Sequence, residues 1–192
     1  SETFSYNEWD RMISSTDADG TQTSYQYDSD NLRTQKGDTI YQVGLDGTVL
    51  QEQSGGDTVQ MVYGHRPLAR KVDGVWYYYV YNAHGDILSL VNEAGTPVNI
   101  YQYDPWGVIL SETETVENPI KYAGEYYDEE TGFIYLRQRY YDPQVGRFIS
   151  EDTVKDGQNW YLYANNNPIM YIDPTGLDAL AVPGGIVEGF FT

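Results

Sequence analysis

The chain has 192 residues, enough for one domain with a substantial hydrophobic core. Its 29 aspartate and glutamate residues outnumber 11 lysine and arginine residues, and the resulting net charge of −18 argues against binding to nucleic acid or anionic membranes. The absence of cysteine excludes disulfides, thiolate metal sites and thiol catalysis. No apolar stretch approaches the roughly 18 residues of a membrane span. The start, Ser1-Glu2-Thr3, has neither an initiator methionine nor a signal sequence, so we expect a soluble chain with its front end cut off.

A short phrase, tyrosine followed by aspartate or asparagine, recurs in a chain with 20 tyrosines and 19 glycines. Its copies are Tyr6-Asn7, Tyr27-Asp28, Tyr81-Asn82, Tyr103-Asp104, Tyr127-Asp128 and Tyr141-Asp142. The copies end alternating runs, which suit a strand exposed on one side. Aspartate and asparagine can close a turn with their own side chains, and a following glycine tolerates positive φ. Each repeat is therefore predicted to be a β-hairpin.

Turn signals place three of these hairpins in chain order. Asp46-Gly47 is predicted to join strands at 40–45 and 48–53, Asp73-Gly74 to join 68–72 and 75–81, and Ala94-Gly95 to join 87–92 and 96–103. No segment has a sustained helical period. Because a single hairpin is marginally stable, consecutive hairpins must pair side by side. We therefore predict an all-β fold, in which about a dozen strands form a curved, extended sheet.

The segment 120–177 differs in character, since it contains four fixed blocks in order. These are Arg139-Tyr140-Tyr141-Asp142-Pro143, Gly146-Arg147-Phe148, Asn159-Trp160-Tyr161-Leu162-Tyr163-Ala164-Asn165-Asn166-Asn167-Pro168 and Asp173-Pro174-Thr175-Gly176-Leu177. Together they closely resemble the RHS repeat-associated core domain. That domain closes the tyrosine–aspartate (YD) repeat shells of RHS proteins, of the C component of Tc toxins and, more distantly, of teneurins.

The resemblance implies a β-spiral shell, closed by a core-associated plug, around a variable C-terminal polypeptide that is commonly a toxin. It divides the chain into YD-repeat hairpins (1–119), the RHS repeat-associated core domain (120–177) and the start of the variable segment (178–192). The partners that it implies are this C-terminal cargo and the remainder of the shell. The localisation that it implies is a secreted or cell-surface protein of a bacterium.

Two carboxylates, Asp152 and Asp173, match the aspartyl pair with which the family cuts its own chain, here between Leu177 and Asp178. Two carboxyl groups that share a proton can act as acid and base at a peptide carbonyl. Arg147, five residues before Asp152, is expected to keep one carboxylate ionised or to polarise the carbonyl. The enzyme implied is at most a self-cleaving aspartyl protease with a single turnover.

The loop after Asp152 departs from the family pattern. The family usually has Asp-Pro and then a Gly-Gly-x-Asn run, whereas this chain has Asp152-Thr153 and then Lys155 and Asp156. Either of these charges would shift the difference in proton affinity that the reaction needs. The sequence therefore leaves open whether the pair is active. Taken alone, Asp173-Pro174 is typical of a turn and Asp152 of a solvated surface acid.

No metal or cofactor site is predicted. His65 and His84 are isolated, and Asp17-Ala18-Asp19-Gly20 and Asp28-Ser29-Asp30-Asn31 lack the spacing of an EF-hand.

Two other functions stay open. The run Trp76-Tyr77-Tyr78-Tyr79 is consistent with an adhesion module that binds cell-surface glycans or a receptor protein, or with aromatic side chains that line the inner wall of the sheet. The exposed edges of such a sheet also allow a fragment that assembles with other shell chains.

Overall fold

The computed structural model describes residues 2–152 and 159–182, which are almost entirely β-structure. A twelve-stranded antiparallel sheet, in which every strand pairs with its neighbours in sequence, takes up the first part of the chain. Its strands are β1 (Thr3–Tyr6), β2 (Met12–Thr16), β3 (Gln22–Tyr27), β4 (Arg33–Lys36), β5 (Thr39–Val43), β6 (Val49–Ser54), β7 (Asp57–Tyr63), β8 (Pro67–Val72), β9 (Val75–Tyr81), β10 (Ile87–Val91), β11 (Pro97–Tyr103) and β12 (Ile109–Glu114). The prediction of an all-β fold built from consecutive hairpins is confirmed.

The rest of the described chain forms two small sheets, which we call the core segment (120–152 and 159–182). The four-stranded sheet contains β13 (Tyr126–Asp128), β14 (Phe133–Leu136), β15 (Arg139–Asp142) and β16 (Arg147–Phe148). The two-stranded sheet pairs β17 (Tyr171–Ile172) with β18 (Leu180–Ala181). Single turns of 3-10 helix lie at Tyr122–Gly124 and Ala164–Asn166. In the part of the chain that the structure describes, no helix has the length and apolarity needed to cross a membrane.

One kind of hydrogen bond, from backbone N–H groups to an aspartate or asparagine side chain, closes the turns of the repeats. The Oδ1 atom of Asp28 accepts hydrogen bonds from the backbone N–H groups of Asp30 and Leu32, both at 2.9 Å. Such a bond replaces one that a backbone carbonyl would otherwise make and so fixes the turn. The same pattern, from the second and fourth residues after the acceptor, occurs at Asn7, Asp17, Asn92 and Asp104. Asp17 and Asp28, the first aspartates of the loops 17–20 and 28–31, thus serve as turn acceptors.

A β-bulge lies beside many of the hairpin turns of the large sheet and changes which residues of the next strand point inward. In β2 the register shifts between Met12 and Ser14, so Ile13 has no partner opposite it and is exposed. The bulge lets residues three apart, Met12 and Ser15, both be buried on the same side. The unpaired aliphatic residue recurs, exposed, at Leu50, Leu68, Leu88 and Leu110.

The inner wall of the sheet is lined by one large residue from alternate strands. These residues are Tyr25, Tyr41, Met61, Tyr79 and Tyr101. The core segment packs against this wall: the ring centroids of Tyr41 and Tyr126 lie 5.8 Å apart, and those of Tyr25 and Tyr140 lie 6.1 Å apart. Within the aromatic run, Tyr79 is buried in the wall, whereas Tyr78 is 43% exposed on the outside.

Buried charges join the sheet to the core segment. Arg33 of β4 is 2% exposed and forms an ion pair with Asp128, which is fully buried at the end of β13. The Arg33 guanidinium also lies 4.3 Å from the centroid of the Tyr135 ring, and Lys36 Nζ lies 3.2 Å from Asp128 Oδ1. Because each charge would be uncompensated without its partner, the two parts of the chain depend on each other.

We expect Asp104→Ala to lower the free energy of unfolding by about 1–2 kcal/mol, because two backbone N–H groups lose their acceptor. Asp104→Asn keeps an Oδ1 acceptor, as the natural asparagines at other turns do, and should stay close to wild type. Urea denaturation of the three chains measures the difference. Equal losses in both variants would mean that the carboxylate charge, and not the acceptor oxygen, stabilises the turn.

Asp128→Ala leaves Arg33 buried without its counter-charge and is expected to cost about 3–5 kcal/mol of unfolding free energy. The control is Glu117→Ala, at an exposed carboxylate, which should change stability by less than about 0.5 kcal/mol. Thermal and urea unfolding of both variants test this expectation. A loss at Asp128 no larger than at Glu117 would contradict it.

Candidate functional site

The border loop, which we define as residues 173–178, connects β17 to β18 and contains the peptide bond between Leu177 and Asp178. At its start, Asp173 is 3% exposed. Its Oδ1 atom accepts hydrogen bonds from the N–H groups of Leu177 at 3.1 Å and of Asp178 at 3.2 Å. The carboxylate of Asp173 is therefore in contact with the nitrogen of the peptide bond at which the resemblance places the cut.

A single buried arginine, Arg139, brings Asp152 and Asp173 together. Its Nη2 atom lies 3.3 Å from Asp152 Oδ2 and 3.9 Å from Asp173 Oδ2. Asp152, at 7% exposure, and Arg139, at 4%, are nearly as buried as Asp173. Two carboxylates that are far apart in sequence thus meet at one guanidinium in a water-poor environment.

Arg139 is held in place from several sides. Its Cζ atom lies 3.6 Å from the centroid of the Phe148 ring, and its Nη1 donates to the carbonyl of Trp160 at 2.8 Å. Its Nε donates to the carbonyl of Gly176 in the border loop. Burial lowers the pKa of Arg139, while the charges of Asp152 and Asp173 act in the opposite direction. The guanidinium is therefore fixed in orientation toward both carboxylates.

Arg147 lies elsewhere. It is exposed on β16, where its backbone pairs with Asp142 and forms a bridge with Leu162. The arginine in contact with both carboxylates is Arg139, a residue that sequence reasoning did not select. Its signal was a pair of arginines, Arg137 and Arg139, between apolar and aromatic residues on both sides, where a charge needs a buried partner.

Burial raises the pKa of the Asp173 carboxyl above its ordinary value. The positive charge of Arg139 and the N–H groups of Gly176, Leu177 and Asp178 oppose this rise without cancelling it. Asp173 can therefore hold a proton at a higher pH than an exposed aspartate would.

Three successive carbonyls of the border loop are bound by three successive residues of the β14–β15 turn. Arg137 Nη1 donates to the carbonyl of Pro174, the N–H of Gln138 donates to Thr175 at 3.1 Å, and Arg139 donates to Gly176. Gly176 has φ +73°, and a Cβ there would lie 2.7 Å from the carbonyl oxygen of Leu136. Only glycine allows the loop to approach the turn this closely.

A cavity of about 630 Å³ lies next to the border loop, between the sheet and the core segment. Its lining includes Tyr63, His84, Glu125, Arg137 and Pro174. Within residues 2–152 and 159–182, no group of three or more histidine, aspartate or glutamate side chains is arranged to hold a metal ion. Lys155 and Asp156, the charges that distinguish the loop after Asp152, lie outside the described residues, as do residues 183–192.

Models of two known families together match most of the chain. The model of the teneurin YD-shell family matches residues 48–169, and that of the RHS repeat matches residues 3–39. The chain is 39% identical over 183 residues to the tRNA nuclease WapA of Bacillus subtilis (strain 168), a match that covers 91% of this chain and 7% of WapA. It is 43% identical over 76 residues to the toxin protein Tse5 of Pseudomonas aeruginosa, which covers 38% of this chain and 6% of Tse5.

Solved structures share the fold. The Photorhabdus luminescens Tc holotoxin pore superimposes with a TM-score of 0.77 at 21% identity, over 93% of this chain and 10% of that one. The TcdB2–TccC3 complex superimposes with a TM-score of 0.75 at 22% identity, over 92% of this chain and 10% of that one. The chain spans only a small part of these proteins, yet the family model covers well over half of it. The chain therefore belongs to the teneurin YD-shell family of RHS-repeat proteins.

Proposed function

We propose that this chain is the C-terminal end of the toxin-enclosing shell of a bacterial RHS/YD-repeat protein that is secreted or displayed on the cell surface. In this proposal the chain cuts itself once, between Leu177 and Asp178, and so separates the shell from its C-terminal cargo. One observation supports the self-cleavage: the buried carboxylates of Asp152 and Asp173 both lie next to Arg139, and Asp173 accepts a hydrogen bond from the N–H of the peptide bond that would be broken.

The proposed reaction uses Asp173 as acid and Asp152 as base. Asp152 takes a proton from a water molecule whose oxygen forms a bond to the carbonyl carbon of Leu177. As the carbon–nitrogen bond breaks, the carboxyl group of Asp173 gives its proton to the lone pair of the departing nitrogen of Asp178, which lies 3.2 Å from Asp173 Oδ1 in the intact chain. The products are the carboxyl group of Leu177 and the amino group of Asp178. The raised pKa of Asp173 supports the acid role.

The shell role is supported by the two ends of the large sheet. In the described chain, β1 pairs only with β2, and β12 pairs only with β11, so each leaves an edge for a further strand. We propose that the neighbouring strands come from the remainder of the shell. The division into hairpins (1–119), core domain (120–177) and variable segment (178–192) is part of the same proposal.

The proposal of a C-terminal cargo rests on two of the proteins to which this chain is similar. One of them is named a tRNA nuclease and another a toxin protein, and this chain matches only 7% and 6% of their lengths. We infer a C-terminal toxin as the partner of this chain. The glycan-binding alternative has less support from the aromatic run, because Tyr79 is buried in the inner wall and Tyr78 is exposed on the outside.

Intact mass measurements test the cut. The wild-type chain is made by cell-free synthesis beside Asp152→Asn and Asp173→Asn, and its mass is followed for a day at neutral pH. We expect the wild type to split into 1–177 and 178–192, and both variants to stay whole because each lacks one half of the acid–base pair. A wild-type chain that remains whole, or variants that split, would overturn the self-cleavage.

Two arginine variants complete the same experiment. Arg139→Gln is expected to abolish the cut, since it removes the group that both carboxylates share. Arg147→Gln should leave the cut unchanged, because Arg147 is exposed. The opposite result would restore Arg147 as the arginine that assists the reaction.

The raised pKa of Asp173 also predicts a dependence of stability on pH. Above the folded-state pKa of Asp173 the protein holds a buried carboxylate that would be more stable when protonated, so Asp173→Asn should raise the unfolding free energy there. As the pH falls through the folded-state pKa, wild-type Asp173 becomes neutral and the difference should vanish. Urea denaturation between pH 7 and about pH 4 measures this trend, and a difference that grows on acidification would contradict it.

A further inference from the structure

Arg137 touches three parts of the molecule that are distant in sequence. It lies in the β14–β15 turn with φ +57°, a conformation that non-glycine residues rarely adopt. Its neighbours are Glu125 in the core segment, Gly47 in the large sheet and Pro174 in the border loop. A strained residue that joins three elements is a candidate for a functional role.

The contact with the core segment fixes the guanidinium. Arg137 Nη1 lies 3.0 Å from both carboxylate oxygens of Glu125, whose side chain is only 12% exposed. Burial raises the pKa of Glu125, and Arg137 opposes that rise. A buried carboxylate in this position holds the arginine strongly, because leaving either charge unpaired is costly.

The contact with the sheet fixes the arginine stem. The Asp46-Gly47 turn joins β5 to β6, and its glycine has φ +82°. A Cβ built on Gly47 would lie 2.9 Å from Cδ and 3.2 Å from Nε of Arg137. Because real Cβ atoms do not approach this closely, the arginine stem packs directly on the turn of the sheet, and any side chain at Gly47 would displace it.

The contact with the border loop links the position of Arg137 to the position of Asp173. Arg137 binds the carbonyl of Pro174, the residue directly after Asp173. The bonds from Asp173 to the N–H groups of Leu177 and Asp178 are 3.1 and 3.2 Å long, near the upper end of the normal range. Because Pro174 directly follows Asp173, a shift of Pro174 would move the carboxylate relative to these N–H groups.

We propose that Arg137 is a positioning residue that couples the YD-repeat sheet to the border site. The Asp46-Gly47 turn holds Arg137, and Arg137 holds the border loop in register with Asp152 and Asp173. The consequence for function rests on the proposed self-cleavage: the chain is cut only after the β5–β6 hairpin has docked on the core segment, so the shell forms before the cargo is separated.

Two glycine variants separate this coupling from a general loss of stability. Gly47→Ala and Gly74→Ala both place a side chain at φ +82° in an aspartate–glycine turn of the sheet. A Cβ at Gly74 meets nothing within 4 Å, whereas a Cβ at Gly47 lies 2.9 Å from Cδ of Arg137 and 3.2 Å from Cδ2 of Leu32. The two variants thus carry similar backbone strain, and only one of them displaces the arginine.

Hydrogen exchange of the peptide that covers 173–178 is measured first, in the Asp152→Asn background so that every chain is whole. We expect exchange at Leu177 and Asp178 to be at least 10-fold faster with Gly47→Ala than with Gly74→Ala. Equal exchange in two folded variants would overturn the coupling. This readout does not depend on cleavage, so a wild-type chain that never cuts itself would refute the proposed function and leave the coupling to be decided by exchange.

Cleavage rates are then compared in chains that retain Asp152. A displacement of the reacting groups by about 1 Å can slow a reaction about 100-fold, so Gly47→Ala should cut between 10- and 100-fold more slowly than Gly74→Ala. If Gly47→Ala fails to fold, Arg137→Lys and Arg137→Ala replace it. Lysine keeps the charge beside Glu125 and should retain part of the rate and of the protection, whereas alanine should lose both. Variants at Arg137 that match wild type in both readouts would also refute the proposal.

Discussion

The fold depends on buried charge between the sheet and the core segment. The inner wall of the sheet carries Arg33 and Arg70, each 2% exposed. Arg33 forms an ion pair with Asp128 of the core segment, whereas Arg70 forms one with Glu52 inside the sheet and donates to Asn118, just before the core segment. Without the core segment Arg33 would lose its counter-charge, and an uncompensated buried charge costs several kcal/mol. The core segment is therefore part of the same folding unit as the sheet, and not a separate lid upon it.

The distribution of charge follows from the same constraint. Within residues 2–152 and 159–182, five basic residues are buried: Arg11, Arg33, Arg70, Lys121 and Arg139. Five acidic residues are buried as well, Glu52, Asp86, Asp128, Asp152 and Asp173, so the excess of acidic over basic residues remains on the outside of the described chain. Such a surface discourages edge-to-edge association between like-charged copies. The buried basic residues set the position of the core segment, while the acidic surface restricts which strands can pair with the edges.

Local patterns predicted the hairpins well and the site only in part. The Asp73-Gly74 hairpin was predicted to within one residue at each end because turn chemistry is local. The bulge at Leu88 was not predicted, since a one-residue shift in register leaves no local signal. The choice of Arg147 followed from its closeness to Asp152 in sequence. Arg139 reaches the carboxylates instead because pairing within the four-stranded sheet and the border loop, both long-range features, bring the three groups together.

The geometry of the border loop also determines how many times the proposed reaction can occur. Asp173 contacts the amide nitrogen of Asp178, only five residues further along the chain, so the acid and the bond to be cut belong to one tight turn. Holding reacting groups together in this way removes most of the entropic cost of meeting. Once the bond is broken, Asp178 is no longer tied to Leu177, and the turn that supplied Asp173 with its hydrogen-bond partner is open. In the proposed reaction the site is therefore built around its own substrate, and the arrangement that would favour the first cut leaves no place for a second one.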